Sequence, residues 1–361
     1  MTRPLTKLLV SVHCALVAFR TQSGGLSASG MKNFGIIPFM NRRKFLTLTS
    51  AAAVTLTLDK TTLGELTNHK EKVDAAWYRR SRKFADLPSA RVAYVEHGRG
   101  SAALFLHGLP LNGYQWRGAL ERLHPHRRCI APDFMSMGYT EAHEGQQINP
   151  DTQAEMLAAL LDALRLSAVD LVANDSGGLV AQVFVAKYPK RVRTLLLTNC
   201  DVDNNNPPKN FVPAVEMAKR GEFTKKFLVP QARDKNLART AKGMLGSVFT
   251  YPDRIEDETL DMYLQPLVSS ENRMKQLDEY TVSLGVNELA GLREQLRSWG
   301  GRARMVWALK DTFFPVEWAD WLDRNLAHSM GVRCLAQANL FFPEEMPDVV
   351  AEEAKRLWGV R

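Results

Sequence analysis

Cysteine is scarce in this chain: Cys14, Cys129, Cys200 and Cys334 are all that 361 residues contain. No CxxC pair or metal-like spacing links them, so neither a disulfide framework nor a cysteine metal site is expected. Cys129, Cys200 and Cys334 stand in or beside apolar strand-like runs, which predicts small core residues. No apolar run is long enough for a permanent bilayer-spanning helix. Internal repeats, low-complexity tracts and cofactor-binding motifs are also missing. What is present is ordinary for a globular protein, with 45% hydrophobic and 24% charged residues.

The net charge of +8 invites a nucleic-acid reading. Its location argues otherwise. Of 47 Lys and Arg and 39 Asp and Glu, eight basic and two acidic residues fall in residues 1–69, leaving a nearly balanced body. A near-neutral body gives phosphate backbones little to bind, so no nucleic-acid partner is expected. Within the leader, Asn41-Arg42-Arg43-Lys44-Phe45-Leu46 precedes an uncharged run, Thr47 to Leu58. This resembles a twin-arginine export signal over about 40–58, which predicts a periplasmic protein, or a cytoplasmic one if the signal does not function. Met40 is a natural start, although the apolar run from Leu8 to Phe19 can pass as a separate signal segment.

From about residue 90, short apolar runs alternate with helical patterns, the signature of a βαβ chain and a parallel sheet. Strands are expected at 91–96, 102–106, 128–131, 169–173, 194–198, 304–308 and 332–336. Helices are expected at 152–166, 179–187, 316–326 and 349–358. Leu104-Phe105-Leu106 and Leu195-Leu196-Leu197 are apolar on both pleat faces, as strands covered on both sides require. Asn204-Asn205-Asn206-Pro207-Pro208 breaks the pattern, and the helical stretch to about 295 reads as an insertion between strands.

The chemistry concentrates at strand ends. Val172-Ala173-Asn174-Asp175-Ser176-Gly177-Gly178 lies between a strand and a helix. A sharp strand-to-helix turn strains its central residue and needs small neighbours two positions away on either side. Centring on Asp175 places Ala173 and Gly177 there; centring on Ser176 places Asn174 and Gly178, a poorer fit. A carboxylate so presented can attack an sp3 carbon and form an alkyl ester, although aspartate also suits a helix N-cap. An earlier strand runs into Leu106-His107-Gly108-Leu109-Pro110, where the glycine allows close backbone approach. The Leu109 and Ser176 amides can then form an anion hole, and His107 reads as a loop-packing residue.

Together these motifs resemble the α/β-hydrolase superfamily, on the branch of haloalkane dehalogenases and epoxide hydrolases, over residues 78–358. The resemblance implies an α/β-hydrolase fold, with a mostly parallel central sheet flanked by helices. It also implies core segments at 78–201 and 296–361 around a helical cap at 202–295. It makes Asp175 the nucleophile and Asp311, after Trp307-Ala308-Leu309-Lys310, the acid of a triad. Asp201 is a second acid candidate, otherwise a solvated cap hinge. A small, largely apolar haloalkane-, epoxide- or ester-like substrate is implied, with no cofactor and no metal. The pattern breaks at Leu340, which occupies the position of the family's catalytic histidine. A base would have to come from elsewhere, such as His143, or a water held by Asp311 or Asp201. Ser176 replaces the halide-binding tryptophan of dehalogenases, no tryptophan lies between residues 202 and 295, and the cap tyrosines Tyr251, Tyr263 and Tyr280 are candidate epoxide-oxygen donors. Without a histidine, the alternative is a non-hydrolytic protein of the same fold.

Overall fold

The computed structural model describes residues 72–360. The twin-arginine-like signal, the apolar run at 8–19, Cys14 and the periplasmic destination inferred from that leader lie outside the described residues.

Among the described residues nine strands form one sheet: β1 (Lys83–Asp86), β2 (Ala90–His97), β3 (Ala102–Leu106), β4 (Arg128–Pro132), β5 (Glu141–Ala142), β6 (Val169–Asn174), β7 (Val192–Thr198), β8 (Arg302–Ala308) and β9 (His328–Leu335). The order is β1-β2-β4-β3-β6-β7-β8-β9, with β5 added beside β2. From β4 through β9 along that path every pairing is parallel, whereas β1, β5 and β4 pair antiparallel with β2. All residues of β3 and β6 are buried, as expected for central strands with helices on both faces. The expected strands are all found, most of them extended by one to four residues. β1 and β5 had no apolar pattern: β1 reads Lys-Phe-Ala-Asp and is mostly exposed.

Local chemistry sets the helix ends. Pro150–Ala163 starts at a capping box, in which Asn149 Oδ1 accepts from the Thr152 amide at 2.8 Å and Thr152 Oγ1 accepts from the Asn149 amide at 3.1 Å. Pro347–Trp358 ends at Gly359, whose φ of 69° is left-handed. That last helix is tied to β8 by the buried pair Arg304 Nε to Glu353 Oε2 at 2.7 Å.

Between β7 and β8 the described chain has only helices and turns, so the sheet carries an inserted helical cap. Polar clasps join cap to core. Glu345 takes the Thr250 and Tyr251 amides at 2.8 and 2.7 Å, and Tyr263 Oη donates to Glu344. No helix among the described residues is long and apolar enough to cross a membrane.

Cys129 and Cys200 are buried as expected, but Cys334 is exposed. It lies on β9, which among the described residues ends the sheet and pairs only with β8, so one side lacks the covering an interior strand receives.

Candidate active site

β4 and β6 flank β3, so the chain crosses over β3 on its way from β4 to β6 and the loops after β3 and β6 open at one edge of the sheet. Ligands of open parallel sheets bind at such switch points. Asp175 sits directly after β6 with φ 55° and ψ −134°, a conformation that costs a non-glycine residue on the order of 1–3 kcal/mol. Its neighbours explain why the turn persists. The Asp175 amide donates to Asn199 O at 2.7 Å. A Cβ on Gly177 would stand 2.5 Å from the Leu106 and His107 carbonyl oxygens, and one on Gly108 2.6 Å from Asp175 Cβ. Both glycines are required by close approach. The elbow is centred on Asp175.

Asp175 Oδ1 accepts from the Leu109 amide at 2.8 Å. Burial pushes the Asp175 carboxyl up to about 6, opposed by the Ser176 and Leu109 amides, which favour the anion. Its residual exposure is toward a narrow cavity of about 30 Å³, lined by Leu109, Asp175, Ser176, Asp201, Leu340 and a shell of Pro, Phe, Met, Val and Leu side chains. That volume holds about two water molecules.

Asp201 corrects the expectation of a solvated hinge: it is 5% exposed and faces the same cavity. The Asn/Asp-rich turn begins just beyond it, and the strand end draws Asp201 inward. Burial, then the charge of Asp175, push its carboxyl well above the usual range, opposed by Asn206. Asp311 is buried behind the cavity wall. Its oxygens accept from the Phe313 amide and from Asn199 Nδ2, each at 2.8 Å, and burial pushes its carboxyl up to about 7.

Leu340 is 2% exposed and forms part of the cavity wall. No histidine lines the cavity among the described residues. His143, proposed as a substitute base, is misplaced for that role: its ring accompanies the 142–149 loop and its Nδ1 contacts Pro88 O at 3.0 Å on the surface. His107 is the packing residue expected. Its Nε2 accepts from the Phe134 amide and its Nδ1 meets Gly108 O, each at 3.0 Å, so one neutral tautomer satisfies both. Burial lowers its pKa to about 4.

Of the cap tyrosines, Tyr251 is exposed and Tyr263 is committed to Glu344. Tyr280 is fully buried near Asp175 and Ser176. Its hydroxyl and that of Ser176 are close enough to influence one another, yet neither completes a hydrogen bond.

The sequence reading missed a chain of buried amides beneath the site. Gln115 Oε1 accepts from the Gly108 amide at 3.0 Å, and its Nε2 donates to Asn174 Oδ1 at 2.7 Å. Asn174 Nδ2 donates to Asn199 O and Leu340 O, each at 3.2 Å, and Asn199 Nδ2 reaches Ala308 O and Asp311. Asn174 ends β6 and Asn199 follows β7; asparagine just after the apolar runs Leu171–Ala173 and Leu195–Leu197 was the available signal.

Residues 104–316 match the family model described as the alpha/beta hydrolase fold, more than half of the chain. The chain belongs to the α/β-hydrolase fold family. Within that family it is similar to a 2-hydroxy-6-oxo-2,4-heptadienoate hydrolase of Pseudomonas putida, 37% identical over 103 residues, or 28% of this chain and 37% of the relative. It is also similar to a haloalkane dehalogenase of Agrobacterium fabrum, 36% identical over 121 residues, or 31% of this chain and 38% of the relative. Both alignments span well under half of those relatives' lengths. A haloalkane dehalogenase from Bradyrhizobium elkani superposes on 77% of this α/β-hydrolase chain and 98% of its own, with a TM-score of 0.63 and 22% identity, a likeness of fold.

Proposed function

We propose that the protein is a hydrolase of a small, largely apolar electrophile (haloalkane-, epoxide- or ester-like), with Asp175 as nucleophile. The supporting observation is the Asp175 carboxylate itself: Oδ1 is anchored on the Leu109 amide while the side chain faces an apolar cavity. Anchoring one oxygen leaves the other to attack, and the surrounding apolar walls spare it a hydration shell. In attack at an sp3 carbon, a new O–C bond forms at Asp175 and the bond to the leaving group breaks with its electron pair. The unpartnered hydroxyls of Ser176 and Tyr280 supply donors to the departing anion or alkoxide. Asp311 was expected to orient a histidine. With Leu340 in that place, its carboxylate is instead engaged by Phe313 and Asn199.

The test is intact-mass spectrometry after incubation with bromobutane, styrene oxide and nitrophenyl acetate, followed by peptide mapping. The expected result is turnover of at least one probe, with a transient adduct on Asp175 that Asp175→Asn abolishes. No adduct and no turnover with all three probes would overturn the reading.

One observation favours a second reading. With Leu340 in the wall and no histidine lining the cavity among the described residues, the protein can stop at the ester and act without hydrolysis. In that case Asp175 binds covalently once per molecule, and Leu340→His creates turnover where none existed.

A further inference from the structure

We propose that Asp201 is the general base of the second half-reaction, taking the proton of the water that attacks an ester formed on Asp175. This rests on Asp175 being the nucleophile.

Position comes first. Among the described residues lining the cavity, Asp175 and Asp201 are the two carboxylic acids. Asp201 is held without being consumed. Gln182 Nε2 donates to its backbone carbonyl at 2.7 Å, and Asn206 Nδ2 donates to its Oδ1 at 3.1 Å. Asn206 is itself fixed, because its Oδ1 accepts from the Glu288 amide at 2.9 Å. No other described residue donates to the second oxygen of Asp201, so one lone-pair face remains for water.

The competing bases are occupied or elsewhere. Both oxygens of Asp311 are engaged behind the wall. His107 uses both ring nitrogens in its loop, and His143 lies on the surface.

Charge then orders the steps. Two carboxylates sharing one low-dielectric cavity resist simultaneous ionisation. The Leu109 and Ser176 amides stabilise the anion on Asp175, whereas Asp201 has the neutral Asn206 side chain and its own backbone amide, and burial still pushes its carboxyl well above the usual range. The resting negative charge therefore falls on Asp175 and the proton on Asp201, as nucleophilic attack requires. Forming the ester removes the Asp175 charge, which after burial is the next cause that keeps Asp201 protonated. Asp201 then releases its proton, to the alkoxide of an opened epoxide or to solvent when halide departs.

Water completes the cycle. Its oxygen bonds to Cγ of Asp175 while its proton passes to Asp201, and the resulting oxyanion lies at the Leu109 amide. The C–O bond to the alkyl group then breaks, and the alkoxide takes the proton of the newly formed carboxyl group. Asp175 returns as a carboxylate holding one oxygen from water, and Asp201 is protonated again.

The test compares the full chain with Asp201→Asn and Asp201→Glu, each checked for an unchanged circular dichroism spectrum. Bromobutane and styrene oxide serve as probes, in water labelled with heavy oxygen. With bromobutane, Asp201→Asn is expected to accumulate one equivalent of the Asp175 ester with bromide but no alcohol released, and to hydrolyse that ester on the order of 100- to 10,000-fold more slowly than the natural chain. Asp201→Glu should recover part of that loss. In the natural chain, ester hydrolysis should rise with pH as Asp201 ionises and deposit label in Asp175; in Asp201→Asn it should be flat. The other groups facing Asp201 are Asp311, the Cys200 thiol and the Tyr280 hydroxyl, and these stay constant across the comparison. Equal hydrolysis in both chains would overturn the role of Asp201 while leaving Asp175 as nucleophile. So would an ester that persists equally in both. Absence of any adduct and any turnover would overturn both readings.

Discussion

Asp175 keeps a strained backbone and a half-desolvated carboxyl in the same residue, and both follow from its place between β6 and the helix Ser176–Lys187. Its raised pKa has a kinetic sign. The proposed attack needs the ionised form, and burial raises the pH at which that form appears from the usual carboxylate range to about 6. Ester formation in single-turnover mass spectrometry should therefore rise about tenfold per pH unit below about 6 and level off above it. A profile already flat at pH 5 would mean that Asp175 is better hydrated than its surroundings indicate. At Leu340 the side chain neither donates nor accepts a proton, so the pH dependence of the following step belongs to another residue. The neighbouring oxygens of Asp311 are already engaged by a backbone amide and Asn199. A histidine placed at 340 would thus meet an acid with its hydrogen-bonding capacity partly committed.

At the scale of the elements, the elbow depends on close contact between β3 and the helix that starts at Ser176. Gly177→Ala would drive a methyl group to 2.5 Å from two carbonyl oxygens of the β3 loop. Backbone cannot yield as a side-chain tip does, so destabilisation of about 1–3 kcal/mol or more is expected. Calorimetry should show a Tm lower by several degrees, with ester formation lost before global unfolding. The same elements show which features the sequence made legible. β3 is a continuous apolar run, and β6 and β7 carry apolar runs at Leu171–Ala173 and Leu195–Leu197 where helices cover both faces, so their positions could be read to within about two residues. β1 could not, since an exposed edge leaves Lys83 and Asp86 no hydrophobic signal. Cys334 was misjudged for a related reason: strand propensity marks an element, whereas burial depends on what lies beside it. Asp201 erred in the opposite direction. Its Asn-rich neighbours read as a turn, and only the convergence of strand ends in space draws the carboxylate inward. Asn174, Asn199 and Gln115 are separated in sequence by tens of residues, so their connection beneath Asp175 exists only in three dimensions.

For the whole molecule, three buried carboxylates carry a stability cost that grows with pH. Asp175, Asp201 and Asp311 all have folded pKa values above the unfolded value near 4. Their protonated forms favour the folded state at low pH, and that contribution is lost as pH rises through the folded values of about 6 and about 7. Asp201→Asn should therefore gain Tm relative to the natural chain as pH increases from about 4 to about 8. A difference that is constant across that range would count against a desolvated Asp201. The cavity these groups share has a further consequence. A space of about 30 Å³ cannot accept bromobutane or styrene oxide as it stands, so the apolar side chains that line it must separate before any collision is productive. Admission is then a clock set by the protein's own breathing. Chemically unlike substrates should saturate toward a common entry rate, and raising solvent viscosity should slow that entry.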